Sequence, residues 1–200
     1  MTAAIDFYFD FSSPYGYLAS EKIDALAARY GRTVDWRPVL LGVVFKATGS
    51  APLAGIPLKG EYSINDFARS ARFLAVPYRR PSAFPIATQH AARGYYWLVE
   101  RDPQLARDYA HACYRAYFAA DRDISQPDVL HQIVSPLGID PAQFDAAVNA
   151  PAWKARLKAE VDAAMARGVF GSPYFIVDGE AFWGVDRLQQ LEKWLAEGGF

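Results

Sequence analysis

The chain has 200 residues, enough for one domain or one domain carrying a sizeable insertion, and its 52% apolar and 22% charged content supports a substantial core. Phe, Tyr and Trp make up 15% of it, so much of the burial is aromatic, and a net charge of −1 gives no global attraction for nucleic acid or an anionic membrane. The single cysteine, Cys113, excludes an intrachain disulfide and any multi-cysteine metal site, and no apolar run approaches the ~18 residues a membrane span needs.

Ile5, Phe7, Phe9 and Phe11 alternate with Asp6, Tyr8 and Asp10, the period-two signature of a strand. Ser12-Ser13-Pro14 then reads as a helix start, an N-cap followed by proline at the first helical position, and the helix runs to Gly31. Residues 33–39 form a second strand, so the opening is β-α-β. Residues 46–63 are rich in Gly, Pro, Ser and Lys and are expected to be a long loop. Helical periodicity punctuated by prolines predicts helices near 64–75, 86–100, 103–120, 126–136, 141–148 and 151–167. Strand character returns over 169–177, Asp178-Gly179 marks a hairpin turn, and 180–183 is the returning strand. Asp186 is expected to cap the last helix, with Gln189 at capping-box spacing. The sum, βαβ, a helical block, then ββα, is the order of a thioredoxin-like α/β fold interrupted by an α-helical insertion. The expected division is 1–44 with 168–200 as the thioredoxin-like part and 45–167 as the insertion.

The residues alone mark one position for chemistry. Ser13 lies where a strand meets a helix N-terminus, a place in open α/β sheets where ligands bind and where unpaired N–H groups favour an anion. Ser13 or Ser12 acting only as a helix cap is the competing reading. Residues 46–93 carry seven bases against two acids, a local charge of +5 that suits anionic ligands, although most such bases are simply solvated. Cys113 falls in a helical pattern and reads as a small core residue, and His90, His111 and His131 show no metal spacing. The start of the chain, MTAAIDFYFDF, lacks the basic n-region of a signal peptide, so a cytoplasmic protein is expected.

Six stretches occur in order: D-F-Y-F-D-F-S-S-P-Y-G-Y-L-A at 6–19, R-P-V-L-L-G at 37–42, F-K-A-T-G at 45–49, K-G-E-Y at 59–62, F-G-S-P-Y-F at 170–175 and F-W-G-V-D-R-L at 182–188. Together they resemble the 2-hydroxychromene-2-carboxylate isomerase family, relatives of kappa-class glutathione transferases within the DsbA-like thioredoxin superfamily. Disulfide oxidoreductases of that superfamily carry Cys-x-x-Cys where this chain reads Ser13-Pro14-Tyr15-Gly16, so dithiol exchange is excluded. The resemblance implies glutathione as cofactor, with Ser13 donating a hydrogen bond to its sulfur. It also implies a cis Ser172-Pro173 whose main chain pairs with the cysteinyl part, and a turn at Trp183, Gly184, Val185 and Asp186 that binds the γ-glutamyl end. Ser50 stands where relatives usually have an Asn contacting glutathione, and Ala87 where they often have Asn. Lys46, Lys59 and Tyr62 are implied to line the pocket of a small aromatic carboxylate substrate. Ser12 is expected to lie off the site. The resemblance further implies a homodimer; no metal, nucleic acid or membrane partner is expected. Three functions stay open at this point: a glutathione-dependent isomerase, a kappa-like glutathione transferase or peroxidase, and a non-catalytic thiol-peptide binding module.

Overall fold

A computed structural model of the chain describes residues 3–200. Alternating apolar side chains put β1 (Ile5–Phe9) at the centre of a four-stranded sheet of order β2-β1-β3-β4, with β2 (Val34–Pro38), β3 (Tyr174–Val177) and β4 (Glu180–Trp183). The β1–β2 pair is parallel and joined by α1 (Pro14–Arg29), whereas β1–β3 and β3–β4 are antiparallel. This is the expected thioredoxin-like order, and it sets the ends of β1 and the chain entering β3 side by side.

Register explains the core. Phe7 pairs with Trp36 on one neighbour and Phe175 on the other, and its ring stacks on Phe175 at 5.3 Å and meets Trp36 edge-on at 5.1 Å. Phe9 and Phe11 continue this row onto Tyr114, at 5.7 and 5.2 Å. Each aromatic ring so buried contributes roughly 1.5–3 kcal/mol. Tyr8 and Asp10, on the other face of the alternation, are buried as well, so β1 is covered on both sides.

The helical block contains α2 (Leu41–Thr48), α3 (Lys59–Phe73), α4 (Gln89–Val99), α5 (Pro103–Phe118), α6 (Pro127–Val134), α7 (Pro141–Asn149) and α8 (Pro151–Ala166), and α9 (Leu188–Glu197) follows the sheet. Prolines at the first helical position and Asp102 and Asp140 as N-caps explain why four of these start where the sequence places them. Tyr95, Tyr96, Trp97, Tyr114, Tyr117 and Phe118 are buried, filling the space between α4, α5 and the sheet. Among the described residues, no helix is long and apolar enough to cross a membrane.

Two expectations change. The segment expected to be a loop over 46–63 is mostly ordered: it holds the end of α2, a 3₁₀ turn at Leu53–Gly55 and the start of α3. Gly49, at φ 69°, closes α2 in the left-handed conformation that glycine allows, so one of the residues that suggested a loop is a helix terminator. The last helix does not begin with Asp186. Val185–Arg187 form a 3₁₀ turn, α9 begins at Leu188, and neither element has a side-chain cap bond, so Asp186 is not an N-cap and makes no capping box with Gln189.

Candidate functional site

The site grows from the end of β1. After Phe9 the chain turns through Asp10, and the Ser13 amide donates to the Asp10 carbonyl at 2.8 Å. Ser13 is the N-cap of α1: it has extended backbone geometry, and its Oγ accepts the Gly16 N–H at 3.0 Å. The same hydroxyl donates to the Ser172 carbonyl at 3.0 Å, across to the chain entering β3. Ser13 is thus both a cap and a bridge, and it is only 5% exposed.

On the opposite side the Ser172-Pro173 peptide bond is cis. The Pro173 carbonyl accepts the Gly184 N–H at 3.0 Å, which joins the turn after β4 to the same group. Gly184 has φ 110°, and the Asp186 carboxylate folds over the place a Cβ would take there. Trp183 is half-exposed and packs edge-on against Phe170 at 4.8 Å, and a Cβ on Gly171 would run into its indole. Ser13, Ser172, Pro173 and Gly184 therefore form one hydrogen-bonded chain, with Trp183, the buried Val185 and Asp186 around its far end.

Three hydroxyl-bearing side chains crowd Gly16. A Cβ there would lie 2.7 Å from Tyr114 Oη, 2.8 Å from Ser172 Oγ and 3.1 Å from Ser13 Cβ. Tyr114 is fully buried and donates to the Asp10 carbonyl at 2.9 Å, so it has little room to retreat. A side chain at position 16 would force Tyr114, Ser172 or Ser13 to shift.

The family-level description for a DSBA-like thioredoxin domain matches residues 4–196. The chain belongs to the DSBA-like thioredoxin family. It is also 31% identical over 199 residues to the 2-hydroxychromene-2-carboxylate isomerase of Sphingobium xenophagum, covering 98% of this chain and 100% of that one, which makes it a member of that enzyme family too. A glutathione S-transferase kappa 1 from Caenorhabditis elegans is 25% identical over 96% of this chain and 91% of its own. Among solved structures, a 2-hydroxychromene-2-carboxylate isomerase superposes with a TM-score of 0.87 at 28% identity, covering 96% of this chain and 94% of that one.

Within this DSBA-like frame the other expected residues are less closely bound. Lys46, Lys59 and Ser50 are exposed, on the last turn of α2, the first residue of α3 and the segment between them. Ser50 Oγ accepts a hydrogen bond from Thr48 at 3.1 Å. Tyr62 is tied in at one remove: Arg69 donates to its hydroxyl at 2.9 Å and lies 5.3 Å from its ring centre, Arg69 pairs with Asp66, and Asp66 accepts from Tyr15. Burial pushes the Tyr15 phenol up, with the Asp66 contact adding to it, so it remains a neutral donor. Asp186 is 70% exposed and pairs loosely with Arg187 at 3.6 Å. Cys113 is buried, and burial pushes its thiol up to about 12, which makes it a core residue without nucleophilic character.

Ser12 does not lie apart from the site. Its amide and hydroxyl both donate to Asp10 Oδ1, at 2.8 and 3.0 Å. Asp10, Gly16, Thr88 and Tyr114 are the site residues that sequence reasoning missed. One local signal was available for Asp10: an Asp two residues before a Ser is the Asx-turn pattern, which this loop adopts.

Proposed function

We propose that the chain is a glutathione-dependent isomerase of 2-hydroxychromene-2-carboxylate or a related bicyclic aromatic acid. The observation that carries this reading is the Ser13–Ser172 bridge at the N-terminus of α1, with a glycine, crowded by Tyr114 and Ser172, at position 16. Glutathione, when bound, would supply a thiolate that adds to the conjugated ring system, permits ring opening and bond rotation, and is expelled again.

The chain's own groups fit that guest. Ser172 sits at the entry to β3 and offers main-chain groups to a peptide that adds as a strand. Ser13, which now donates to the Ser172 carbonyl, would be the hydroxyl free to meet the sulfur were a peptide N–H to take that carbonyl. Binding and thiol activation are thereby linked through one hydroxyl. A hydrogen bond to a charged acceptor contributes roughly 1.5–3 kcal/mol, and ~1.4 kcal/mol corresponds to one pKa unit, so Ser13 would lower a bound thiol's pKa by about one to two. The N-terminus of α1 adds a smaller share. Gly184 and Asp186 would hold the polar end of the peptide, the carboxylate of Asp186 meeting an ammonium group; the bond from Gly184 to the Pro173 carbonyl supports this.

Lys46 and Lys59 supply positive surface for an aromatic carboxylate, and Tyr62, held by Arg69, supplies a ring beside it. The domain division 1–44 with 168–200 against 45–167 is part of the same reading, supported by a sheet built only from strands within the two outer segments.

The test is the spectrum of 2-hydroxychromene-2-carboxylate with the purified protein, with and without glutathione. Conversion that needs glutathione and leaves its concentration unchanged is the expected result. Loss of glutathione onto a chloronitrobenzene selects a transferase, the activity named for the kappa relatives. Absence of both activities and of calorimetric glutathione binding overturns the enzyme reading.

A further inference from the structure

The most heavily bonded residue of the site is not one that would touch a ligand. Asp10 is 2% exposed, and every polar group it owns is engaged. Its amide donates to Ser172 Oγ at 3.0 Å, and its carbonyl accepts from the Ser13 amide at 2.8 Å and the Tyr114 hydroxyl at 2.9 Å. Its Oδ1 accepts from the Ser12 amide, the Ser12 hydroxyl and the Thr88 hydroxyl at 2.8, 3.0 and 2.8 Å, while Oδ2 accepts the Leu41 amide at 2.6 Å. Among the described residues no Lys, Arg or His is hydrogen-bonded or ion-paired with it; the titratable groups that feel its charge are Tyr114 and Tyr117, both from α5.

The donors of the bonds to the carboxylate lie at the starts of three helices. Leu41 is the first residue of α2, whose own cap residue, Leu40, has no side-chain cap bond. Thr88 is the cap residue of α4; its side chain makes no cap bond, and its hydroxyl donates to Asp10 instead. Ser12 precedes the Ser13 cap of α1. One buried carboxylate therefore fixes the helix that carries Ser13, the helix that carries Lys46 and the start of the wall behind them. Burial pushes the Asp10 carboxyl up, and the four hydrogen bonds from Ser12, Leu41 and Thr88 oppose it by favouring the charged form.

We propose that Asp10 is the positioning residue of this enzyme: its carboxylate sets the Ser13 hydroxyl and the α2 N-terminus against one another, so that thiol activation and substrate capture depend on a single side chain. The inference rests on the glutathione reading above. Two effects of Asp10 oppose each other. Its negative charge, acting through space, disfavours a thiolate at Ser13, while its hydrogen bonds hold Ser13 where a thiolate can be met. In the positioning role the second effect wins.

The experiment is Asp10→Asn, followed by the thiolate absorbance of enzyme-bound glutathione against pH, with circular dichroism to establish that the variant is folded. Asn keeps the shape but turns one acceptor oxygen into a donor that faces N–H and O–H groups, so at least one bond to Ser12, Thr88 or Leu41 is lost. The thiolate fraction at neutral pH falls roughly tenfold, and KM for the aromatic acid rises in the same variant. Ser13→Ala added to Asp10→Asn lowers the thiolate fraction less than twofold further, because the two residues act as a unit. A thiolate titration that is unchanged, or that moves to lower pH as charge removal alone would dictate, overturns the proposal. Thr88→Val keeps the charge and removes one donor; it shows a smaller loss of thiolate in the same direction, and it decides the matter if Asp10→Asn does not fold. If wild-type protein binds glutathione without a thiolate band, the glutathione reading itself fails, and the proposal with it.

Discussion

Around Ser13 the chain is closed on itself, whereas around Lys46 and Lys59 it lies open. Ser13 is buried and bonded on both sides, and Asp10 beneath it has no free polar group. On α2 only Val44 is buried, and Leu58, next to Lys59, is 92% exposed. The two regions ask different things of a ligand. A site with its donors already in place stabilises charge without reorganising, while exposed side chains adapt to a variable partner at little energetic gain per contact. In the proposed reaction the closed region handles the part of the chemistry common to every turnover, and the open region handles the acid that distinguishes one substrate from another.

The sharpest way to break this contrast is Ser13→Ala. Thiolate-dependent turnover falls roughly ten- to a hundredfold, with about 1 kcal/mol of stability lost as the cap disappears. Glutathione affinity measured by calorimetry falls less, since Ser172 still offers its main chain. A thiolate titration that stays where it was would reduce Ser13 to a helix cap.

Gly16→Ala attacks the same region by crowding rather than deletion. The added methyl meets Tyr114 and Ser172 at 2.7 and 2.8 Å, so thermal denaturation shows a loss of roughly 1–3 kcal/mol. Gly42→Ala is the matched control on α2, where a Cβ meets nothing within 4 Å, and it leaves stability unchanged or slightly raised.

Acid loosens the closed region from the side. Burial pushes the Glu21 carboxyl on α1 up, but His111 and the two 2.8 Å contacts from Arg115 on α5 outweigh it and hold it down at about 2. A carboxyl held below its unfolded value of 4.5 contributes stability that is complete above that pH and is lost as pH falls towards 2. Glu21→Gln flattens the stability profile across that interval; a profile as steep as that of the wild type would show that the α1–α5 contact is not what acid weakens.

In the open region the effects are smaller. Lys46→Ala or Lys59→Ala raises KM for the aromatic acid by up to about fivefold, as befits exposed charges worth ~0.2–1 kcal/mol, and leaves the thiolate titration untouched. A shift in that titration would mean that the two regions are not separate. Cys113→Ala gives the smallest effect on chemistry: steady-state turnover is unchanged, and only a modest loss of thermal stability follows from the emptied core space.

The sequence showed the fold wherever local pattern decided it. The alternation at Ile5–Phe9 and the prolines that open α5, α6, α7 and α8 are signals contained within a few residues. α2 was hidden because its N-terminus is capped by a carboxylate 31 positions away, while the Gly and Pro that follow it resemble a loop. The start of α9 was misplaced because Asp186 has the composition of a cap but sits in a 3₁₀ turn. Ser13 was legible as a strand-to-helix junction. Of Asp10 only the strand alternation and the local turn to Ser12 were legible, since its other partners Leu41 and Thr88 lie 31 and 78 positions on and are brought to it by folding.

The bond from Ser13 to Ser172 spans 159 positions of sequence. During synthesis at roughly 5–20 residues per second, β1 and α1 leave the ribosome about seven to thirty seconds before β3 exists. For that interval β1 can pair with β2 on one edge only, and the edge that will receive β3 stays open to other nascent chains. The helices made in between are rich in local contacts and can fold while the first strands wait. Glutathione binding therefore should not grow in stages along a series of stalled nascent chains; it should appear once, when residues beyond Gly184 have emerged and the two ends of the molecule meet.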